Sequence, residues 1–409
     1  MHLRFTTAGE SHGRALVVIV EGLPAGLPVT AEWVDRDLAR RMQGYGRGAR
    51  MKIEQDRIEW LAGVRAGETL GSPVAMMVPN RDWVHWEDVM AHEGNGELRR
   101  RRVTRPRPGH ADLAGVLKYD RVDARDILER ASARETAMRV AAGALARRLL
   151  AEFGVEIGSH LVSLGGIRAR VDALPVPLNE ASDRSPVRTL DAAAEAAMIH
   201  AVDEAKRAGD TLGGEIEVVA RGVVVGLGSH VSWDRKLDGR LAAQLMSIPA
   251  VKGVEVGLGF AAAARPGSGV HDPITAGSDH PPAAGDTRGG FHRSSNNAGG
   301  LEGGITTGEP LVVRVAMKPI ATLMSPLATV DLASGDAAQA ASERSDVTAV
   351  PAMGVIAEAL VAIVLADAML EKFGGDSLAE MRRNYEAYVE ALGARWRALR
   401  AADTSDAPA

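Results

Sequence analysis

Hydrophobic positions along this chain follow two spacings, and the places where one gives way to the other mark the elements. ALVVIVE over Ala15–Glu21 is a β-branched apolar run that reads as a strand; Gly22, Pro24, Gly26 and Pro28 then turn the chain, and Thr30 caps a helix over Ala31–Met42. MKIEQDRIEWLAGV reads as a hairpin and 72–78 as a further strand. The strongest helical signal lies beyond Ser132 and Glu135, which have capping-box spacing: Ala137, Val140, Ala141, Ala144 and Leu145 recur at helical intervals and predict a helix over 133–152. A strand near 155–164 follows, then a proline-rich loop over 174–186 and an alanine-rich helix over Ala192–Ala208 closed by Gly209. GGEIEVVARGVVVGLG reads as a long strand pair, and 266–290, rich in Gly, Pro, Asp and Ala, as a loop. The most apolar stretch, 355–370, is interrupted by Glu358 and Asp367 and is too short to span a bilayer, which makes it a buried helix. An amphipathic helix over 377–399 closes the fold, leaving 401–409 as a disordered tail.

Two internal echoes bear on the domain plan. EGLPAGL with Gly22 and Gly26 matches RGVVVGL with Gly222 and Gly226, and Trp33 matches Trp233 at the same offset, with a helix after each. GVRAGE from Gly63 matches GITTGE from Gly304, each ahead of a strand containing Val-Ala-Met. Two related halves of alternating sheet and helix, about 1–150 and 210–375 within a single domain over 1–400, are one account; chance similarity in Gly/Val-rich sequence is the other.

Composition narrows the classes. With 409 residues, 46% hydrophobic and 25% charged, the chain is globular; a net charge of -5 argues against a wholly basic nucleic-acid-binding surface, so any anion recognition must come from arginine concentrated locally. The absence of cysteine removes disulfides, thiolate catalysis and Cys-ligated metal, and fits a reducing cytosol.

That concentration is found. Arg105, Arg107, Arg125, Arg130, Arg134 and Arg139 surround His110 in sequence, and Pro106, Pro108 and Gly109 make the approach to the histidine stiff and non-helical. Arg134 falls in the first turn of a helix, the wrong end for a cation unless an anion lies in front of it; the alternative is a solvated arginine paired with Asp126 or Glu129. GYGRGARM adds Arg47 and Arg50, next to Arg41, on a backbone open to close approach. The segment 94–102, ending in consecutive arginines, reads as a solvated loop with no catalytic role. An anionic small-molecule site follows from the number of arginines, and in it the imidazole of His110, with a reference pKa of about 6.5, suits proton transfer to a leaving group. His12 in AGESHGRA is equally a structural residue or a catalytic one, and Asp346 beside Arg344 an ion pair or a base. Arg293, Asn296 and Asn297 in the RSSNNAGG loop, with Lys318 and Thr322 flanking Pro319, offer a cradle for a phosphate and a planar heterocycle. No HExxH, GxSxG or Walker loop occurs, and GYGRG follows a helix without opening one, so a dinucleotide fingerprint fails on context. A non-catalytic protein that captures a phosphorylated metabolite or an RNA backbone is the rival class, although 4% aromatic residues leave little for base stacking.

Taken in order from residue 7 to about 352, AGESHGRA, GYGRGARM, TRPRPGHAD, RASARET, RSSNNAGG, MKPIAT and RSDVTAVPA resemble the chorismate synthase family. The resemblance implies an α+β fold, a β-α-β sandwich of antiparallel sheets around a helical layer, assembled as a cytoplasmic homotetramer with the flavin near subunit contacts. It implies a 1,4-anti elimination of phosphate and a ring hydrogen from 5-enolpyruvylshikimate 3-phosphate, giving chorismate, with reduced FMN and no net redox change. By the same resemblance His12 would protonate or hydrogen-bond the leaving phosphate, His110 would sit near the N1/C2 edge of the flavin, and Asp346 would assist proton movement at N5. Arg41, Arg47, Arg50, Arg107 and Arg134 would hold the substrate. Arg130, Ala131, Ser132, Pro249, Ala250, Gly304, Lys318, Pro319, Ile320, Ala321, Thr322 and Arg344 would contact FMN. NADPH is a candidate reductant, but with no dinucleotide fingerprint or reductase domain a separate flavin reductase is the expected supplier; neither nucleic acid nor membrane is an expected partner.

Overall fold

The computed structural model describes residues 3–48, 54–93, 101–276, 286–342 and 346–405. The N-terminal part supplies β1 (Arg4–Ala8), β2 (Ala15–Glu21), α1 (Ala31–Met42), β3 (Glu59–Ala62), a short hairpin of β4 (Val64–Arg65) and β5 (Glu68–Thr69), and β6 (Val74–Pro79). Strands β1, β2, β6 and β3 form, in that order, a four-stranded antiparallel sheet. Its inner face is Leu16, Val18 and Val20 from β2 and Val74, Met76 and Val78 from β6, all buried, whereas Ile19 points out. This is the period-two pattern of a sheet covered on one face.

The middle of the chain supplies α2 (Asp112–Tyr119), α3 (Arg125–Ala131), α4 (Thr136–Ala151), β7 (Glu156–Leu164), β8 (Ile167–Arg168), α5 (Leu178–Ser182), α6 (Ala192–Ala208) and β9 (Gly214–Arg221). Then come α7 (Leu237–Met246), β10 (Val251–Val256), the pair β11 (Ile274–Ala276) and β12 (Phe291–Arg293), the hairpin β13 (Leu301–Glu302) and β14 (Ile305–Thr306), and β15 (Leu311–Met317). The chain continues through the pair β16 (Ala328–Val330) and β17 (Ala337–Gln339) to α8 (Val350–Phe373) and α9 (Leu378–Ser405). A five-stranded antiparallel sheet has the order β10-β15-β9-β7-β8. The fold is thus mixed α/β, with several antiparallel sheets and helices.

Helices α4 and α8 pack against each other, α4 also on β2 and α8 on β7 and β9. Both are apolar on nearly every side, as helices must be when covered all round. Gly143 of α4 permits the close approach: a Cβ there would lie 2.3 Å from the Cβ of Ala359. Helix α8 is long and apolar enough to cross a membrane, yet 94% of its most apolar window is buried inside the protein, as expected for a core helix. Near its middle sits Glu358, with none of its surface exposed, bonded to Arg40 (2.8 and 3.0 Å), Arg188 (3.0 Å), Ser159 (2.6 Å), Asn179 (3.3 Å) and Arg147. Burial alone would raise its pKa, but the three arginines hold the carboxyl well below the usual range.

Several expectations are corrected. Residues 54–58 are not a strand: β3 pairs with β6 instead of forming a hairpin with them, and 51–53 lie outside the described residues. Only Gly214–Arg221 of the presumed strand pair is extended sheet, since Gly222 (φ 75°) and Gly226 (φ 91°) turn the chain away. Ser132 does cap, but it accepts from Arg134 N and leads into a 3-10 turn over Ala133–Glu135; Glu135 accepts from Thr7 and Arg139 instead of closing a capping box. The 266–290 loop contains β11, and 277–285 fall outside the description. Helix α9 runs through Ser405, so 401–405 are helical, not a disordered tail; 406–409 are outside the described residues.

The echoes have a structural counterpart in a different register. Thr69 Oγ1 accepts from Leu27 N (3.0 Å) and donates to Pro24 O (2.6 Å); Thr306 Oγ1 accepts from Leu227 N (2.8 Å) and donates to Val224 O (2.7 Å). Backbone bonds Gly26 N to Thr69 O and Thr69 N to Leu27 O recur as Gly226 N to Thr306 O and Thr306 N to Leu227 O. With Thr69 opposite Thr306, the segment matching Gly63 begins at Gly300 and not at Gly304, and Gly67 (φ 82°) falls opposite Gly304 (φ 86°). The tryptophan match fails: Trp33 lies in α1 and bonds Ala144 O, whereas Trp233 precedes α7 and is 86% exposed.

Candidate functional site

The arginines expected around His110 divide between two constellations, sorted by acidic partners that the arginine count did not identify. Among the described arginines, Arg107 is the one within hydrogen-bond distance of His110. Arg125 pairs with Glu129 (2.8 Å), and Arg139 with Glu135 and Ser247. Arg130 hooks the carbonyls of Thr7 (2.8 Å) and Gly9 (3.1 Å). Arg134 is buried, paired neither with Asp126 nor with Glu129 but with Asp56 at 2.6 Å, and it lies 3.7 Å from Glu54.

The first constellation runs from His12 to Arg41, with the Arg47–Asp346 pair near enough to act on Arg41 by charge. His12 sits in the turn between β1 and β2, where its Nδ1 meets both oxygens of Glu129 (3.0 and 2.9 Å), its backbone N–H donates to the same carboxylate, and its ring stacks on Trp86 at 3.9 Å. Arg101 and Arg125 also lie over the indole ring, at 4.7 and 5.0 Å from its centroid. The segment read as a solvated loop therefore brings Arg101 to the histidine's stacking partner; 94–100 are outside the described residues. Burial pushes Glu129 up, but the bond and charge of His12 and the charge of Arg125 outweigh it and keep the carboxyl below its ordinary value. Asn80, buried at the end of β6, donates to the carbonyls of Glu10 and Gly13 on either side of His12 and accepts from Arg134 Nε (3.1 Å). Asp56 links Arg134 to Arg41, whose Nη1 is 3.5 Å away, while Arg41 Nε and Nη2 donate to Thr136 and Nη2 also to Ala133 O. Arg47 pairs with Asp346 at 3.0 Å, and Asp346 also accepts from Gly48 N (2.6 Å). Arg50 and Arg344 are outside the described residues.

This strip holds unspent donors. Arg41 Nη1 and Arg134 Nη2 are buried and have no hydrogen-bond partner among the described residues. Burial pushes the Arg41 guanidinium down to about 9, with Asp56 opposing and the positive charges of Arg134 and Arg47 adding to the fall. An anion placed there would relieve both the unpaired donors and the mutual repulsion.

The second constellation is built around α2. Gly109 (φ 79°) reverses the chain so that His110 Nδ1 approaches Asp112 Oδ1 at 2.5 Å. Arg107 clamps Asp112 through Nε (2.8 Å), Nη2 (3.1 Å) and its backbone N (3.1 Å), and reaches Thr322 Oγ1 with Nη1 (2.9 Å). Lys318 Nζ donates to Gly109 O (2.9 Å), and Lys318 N to Ala250 O (3.0 Å), where Ala250 itself has φ 69° next to Pro249. Partial burial, with Lys252 adding to it, pushes Lys318 below its ordinary value, so this spot also favours a negative or electron-rich ligand. Ile320 O accepts from Thr211, and Pro319 and Ala321 complete the segment that faces Gly109.

Of the other expected contacts, Ala131 ends α3 and Ser132 caps the next turn beside Arg130. Gly304 sits in the β13–β14 turn with its carbonyl accepting from Leu237 N, and no described contact joins it to either constellation. Sequence reasoning missed Glu54, Asp56, Asn80, Trp86 and Asp112. Asp112 alone carried a local signal, two residues beyond His110.

A family model for chorismate synthase matches residues 3–370. Chorismate synthase from Geobacter sulfurreducens is 57% identical over 392 residues, 95% of this chain and 98% of the relative. The Streptomyces coelicolor chorismate synthase is 57% identical over 401 residues, 96% of this chain and 99% of its own. A crystal structure of a chorismate synthase aligns at a TM-score of 0.76 with 43% identity, covering 96% of this chain and 99% of that one.

Proposed function

We propose, given that the chain belongs to the chorismate synthase family, that the strip from His12 through Arg134 and Arg41 to Asp346 holds the substrate, and that the His110 constellation faces the flavin. The enzyme is a lyase that forms chorismate from 5-enolpyruvylshikimate 3-phosphate by eliminating phosphate and a ring hydrogen, without net redox change. What carries the assignment is the pair of buried, unbonded guanidinium nitrogens, Arg41 Nη1 and Arg134 Nη2, in contact through Asp56 and Asn80 with the turn that bears His12. A substrate with two carboxylates and a phosphate has the charge to satisfy them.

Bound reduced FMN supplies the electron-rich ring that lets the substrate expel phosphate. The depressed Lys318, the approach of Gly109 to Lys318 and Ala321, and His110 fit such a ring, and Arg107 ties His110 to the 318–322 segment. Arg47 and Arg134 fix the substrate's anionic groups and stabilise charge on the departing phosphate oxygens. His12, held at Nδ1 by Glu129, turns its other nitrogen towards that phosphate and donates a proton or a hydrogen bond to it. Asp346, engaged by Arg47 and Gly48 N, would assist proton movement at the N5 position of the flavin.

We also propose the finer architecture: two pseudo-repeat halves whose sheets sandwich α4 and α8, supported by the recurring threonine bonds of Thr69 and Thr306. A cytoplasmic homotetramer is in keeping with the exposed Trp233 and Phe260, and a separate reductase, not NADPH acting on this chain, is the proposed source of reduced flavin. The test is anaerobic, with dithionite-reduced FMN, 5-enolpyruvylshikimate 3-phosphate and phosphate release as readout. His12→Ala should lower kcat by roughly a hundredfold at near-constant KM, and Arg41→Ala or Arg134→Ala should raise KM; wild-type KM in both arginine variants would remove the substrate assignment.

A further inference from the structure

We infer that Asp112 is a positioning residue: with Arg107 behind it, it locks His110 as the Nδ1–H tautomer and leaves Nε2 as the nitrogen that meets the bound cofactor. The inference rests on the placement of His110 beside the flavin, and it adds the group that sets the ring's state. The Asp112 carboxylate is wholly buried and lies 2.5 Å from Nδ1. Two acceptors cannot share that distance in a buried place without strong repulsion, so the proton is on Nδ1. Arg107 Nη2 is also 3.2 Å from the same nitrogen, and it could donate only to a bare Nδ1. Its hydrogen bond goes to Asp112 Oδ1 instead, at 3.1 Å, and the shorter histidine–carboxylate contact decides the tautomer.

The carboxylate is also kept ionised for the task. Burial pushes Asp112 up, but bonds from His110 and Arg107 outweigh it and hold the carboxyl well below its usual range. The charged groups gathered at this loop are Asp112, Arg107 and Lys318, with Lys252 beyond the last. Arg107 bonds Thr322 and Lys318 bonds Gly109 O, so the loop bearing the histidine is fastened to the segment it must face. Orientation of an imidazole through Nδ1 by a carboxylate fixes both the ring plane and the role of Nε2.

The test reads the ring without any ligand. In ligand-free enzyme labelled with 15N-histidine, the His110 signals are identified by their loss in His110→Asn, and the tautomer is read above the imidazole titration. We expect Nδ1–H in the wild type and a mixture weighted to Nε2–H in Asp112→Ala. With reduced FMN, Asp112→Asn should lower kcat by roughly tenfold or more while KM for the substrate stays within about threefold. A wild-type Nε2–H tautomer overturns the inference even if Asp112→Ala does not fold, and wild-type turnover in a folded Asp112→Asn overturns it as well. Wild-type turnover in His110→Ala would instead overturn the placement of the histidine itself, a separate result.

Discussion

Replacing Glu358 by Gln keeps the shape of the side chain and removes the one charge around which the buried Arg40 and Arg188 and the half-buried Arg147 are arranged. Arg40, Arg147 and Arg188 would then face only Asp37 and Asp183, which already bond Arg40 and Arg188 and approach Arg147. Arg188 carries most of the exposure to this loss: burial has pushed it down to about 10 with Glu358 as the largest opposing influence. Breaking a buried ion pair by removing one partner costs about 3–5 kcal/mol, because the remaining charge stays buried without compensation. Unfolding entropy of ~2.1 cal/mol/K per residue over 409 residues converts that to a fall in Tm of roughly 3–6 °C at pH 7. The sign with pH follows from the depressed carboxyl. Its contribution is complete above the ordinary value of 4.5 and drains away as pH falls below it, so the gap between wild type and Glu358→Gln should narrow in acid. Calorimetry at pH 7 and pH 3.5 measures both. Equal Tm at pH 7, or a gap that is unchanged in acid, would refute the reasoning.

Three further outcomes are expected. Glu129→Gln, which removes the charge holding His12, should reduce kcat by about ten- to hundredfold in the anaerobic assay with Tm lowered by only a few degrees; an unchanged kcat would show that Trp86 alone orients the ring. Arg134→Lys cannot keep both the Asp56 contacts and the Asn80 bond, and should raise KM by roughly tenfold, about 1.4 kcal/mol, measurable by initial rates; Lys at wild-type KM would mean that charge without the guanidinium's geometry suffices. Gly143→Ala places a Cβ 2.3 Å from that of Ala359 and should destabilise the α4–α8 contact by about 1–3 kcal/mol, read as a lower denaturant midpoint; an unchanged midpoint would mean that the two helices separate at little cost.

Local signals were the legible ones. Thr30 opens α1 and Gly209 closes α6, because caps act within one turn of the residue that makes them. The hairpin expected over 51–64 failed since β3 found its partner in β6, a choice made by the sheet and not by the segment. The echo was legible through its glycines, whereas the similar bonds of Thr69 and Thr306 leave no spacing signature, because each is a hydroxyl set between two backbone groups. Glu358 looked like an interruption in an apolar helix; its three arginines come from α1, α4 and the loop before α6, too far apart in sequence to be matched by pattern.

The same distance explains how the arginines came to be miscounted as one cluster, and it exposes the compromise in the substrate strip. A buried guanidinium must have a counter-charge before any ligand arrives, or the fold bears an uncompensated cation. If every N–H were bonded by the protein, the anion would gain nothing by entering. Asp56 resolves this by serving two arginines at once: Arg134 takes both of its oxygens at 2.6 Å, while Arg41 has to accept an ion pair at 3.5 Å without a hydrogen bond from Nη1. Each unmade bond at a buried charged donor costs upwards of about 1–3 kcal/mol, and that cost is recovered when a carboxylate or phosphate oxygen reaches the nitrogen. The acidic residues therefore set the affinity of the site as much as the basic ones do, and Asp56 sets it for two guanidinium groups together.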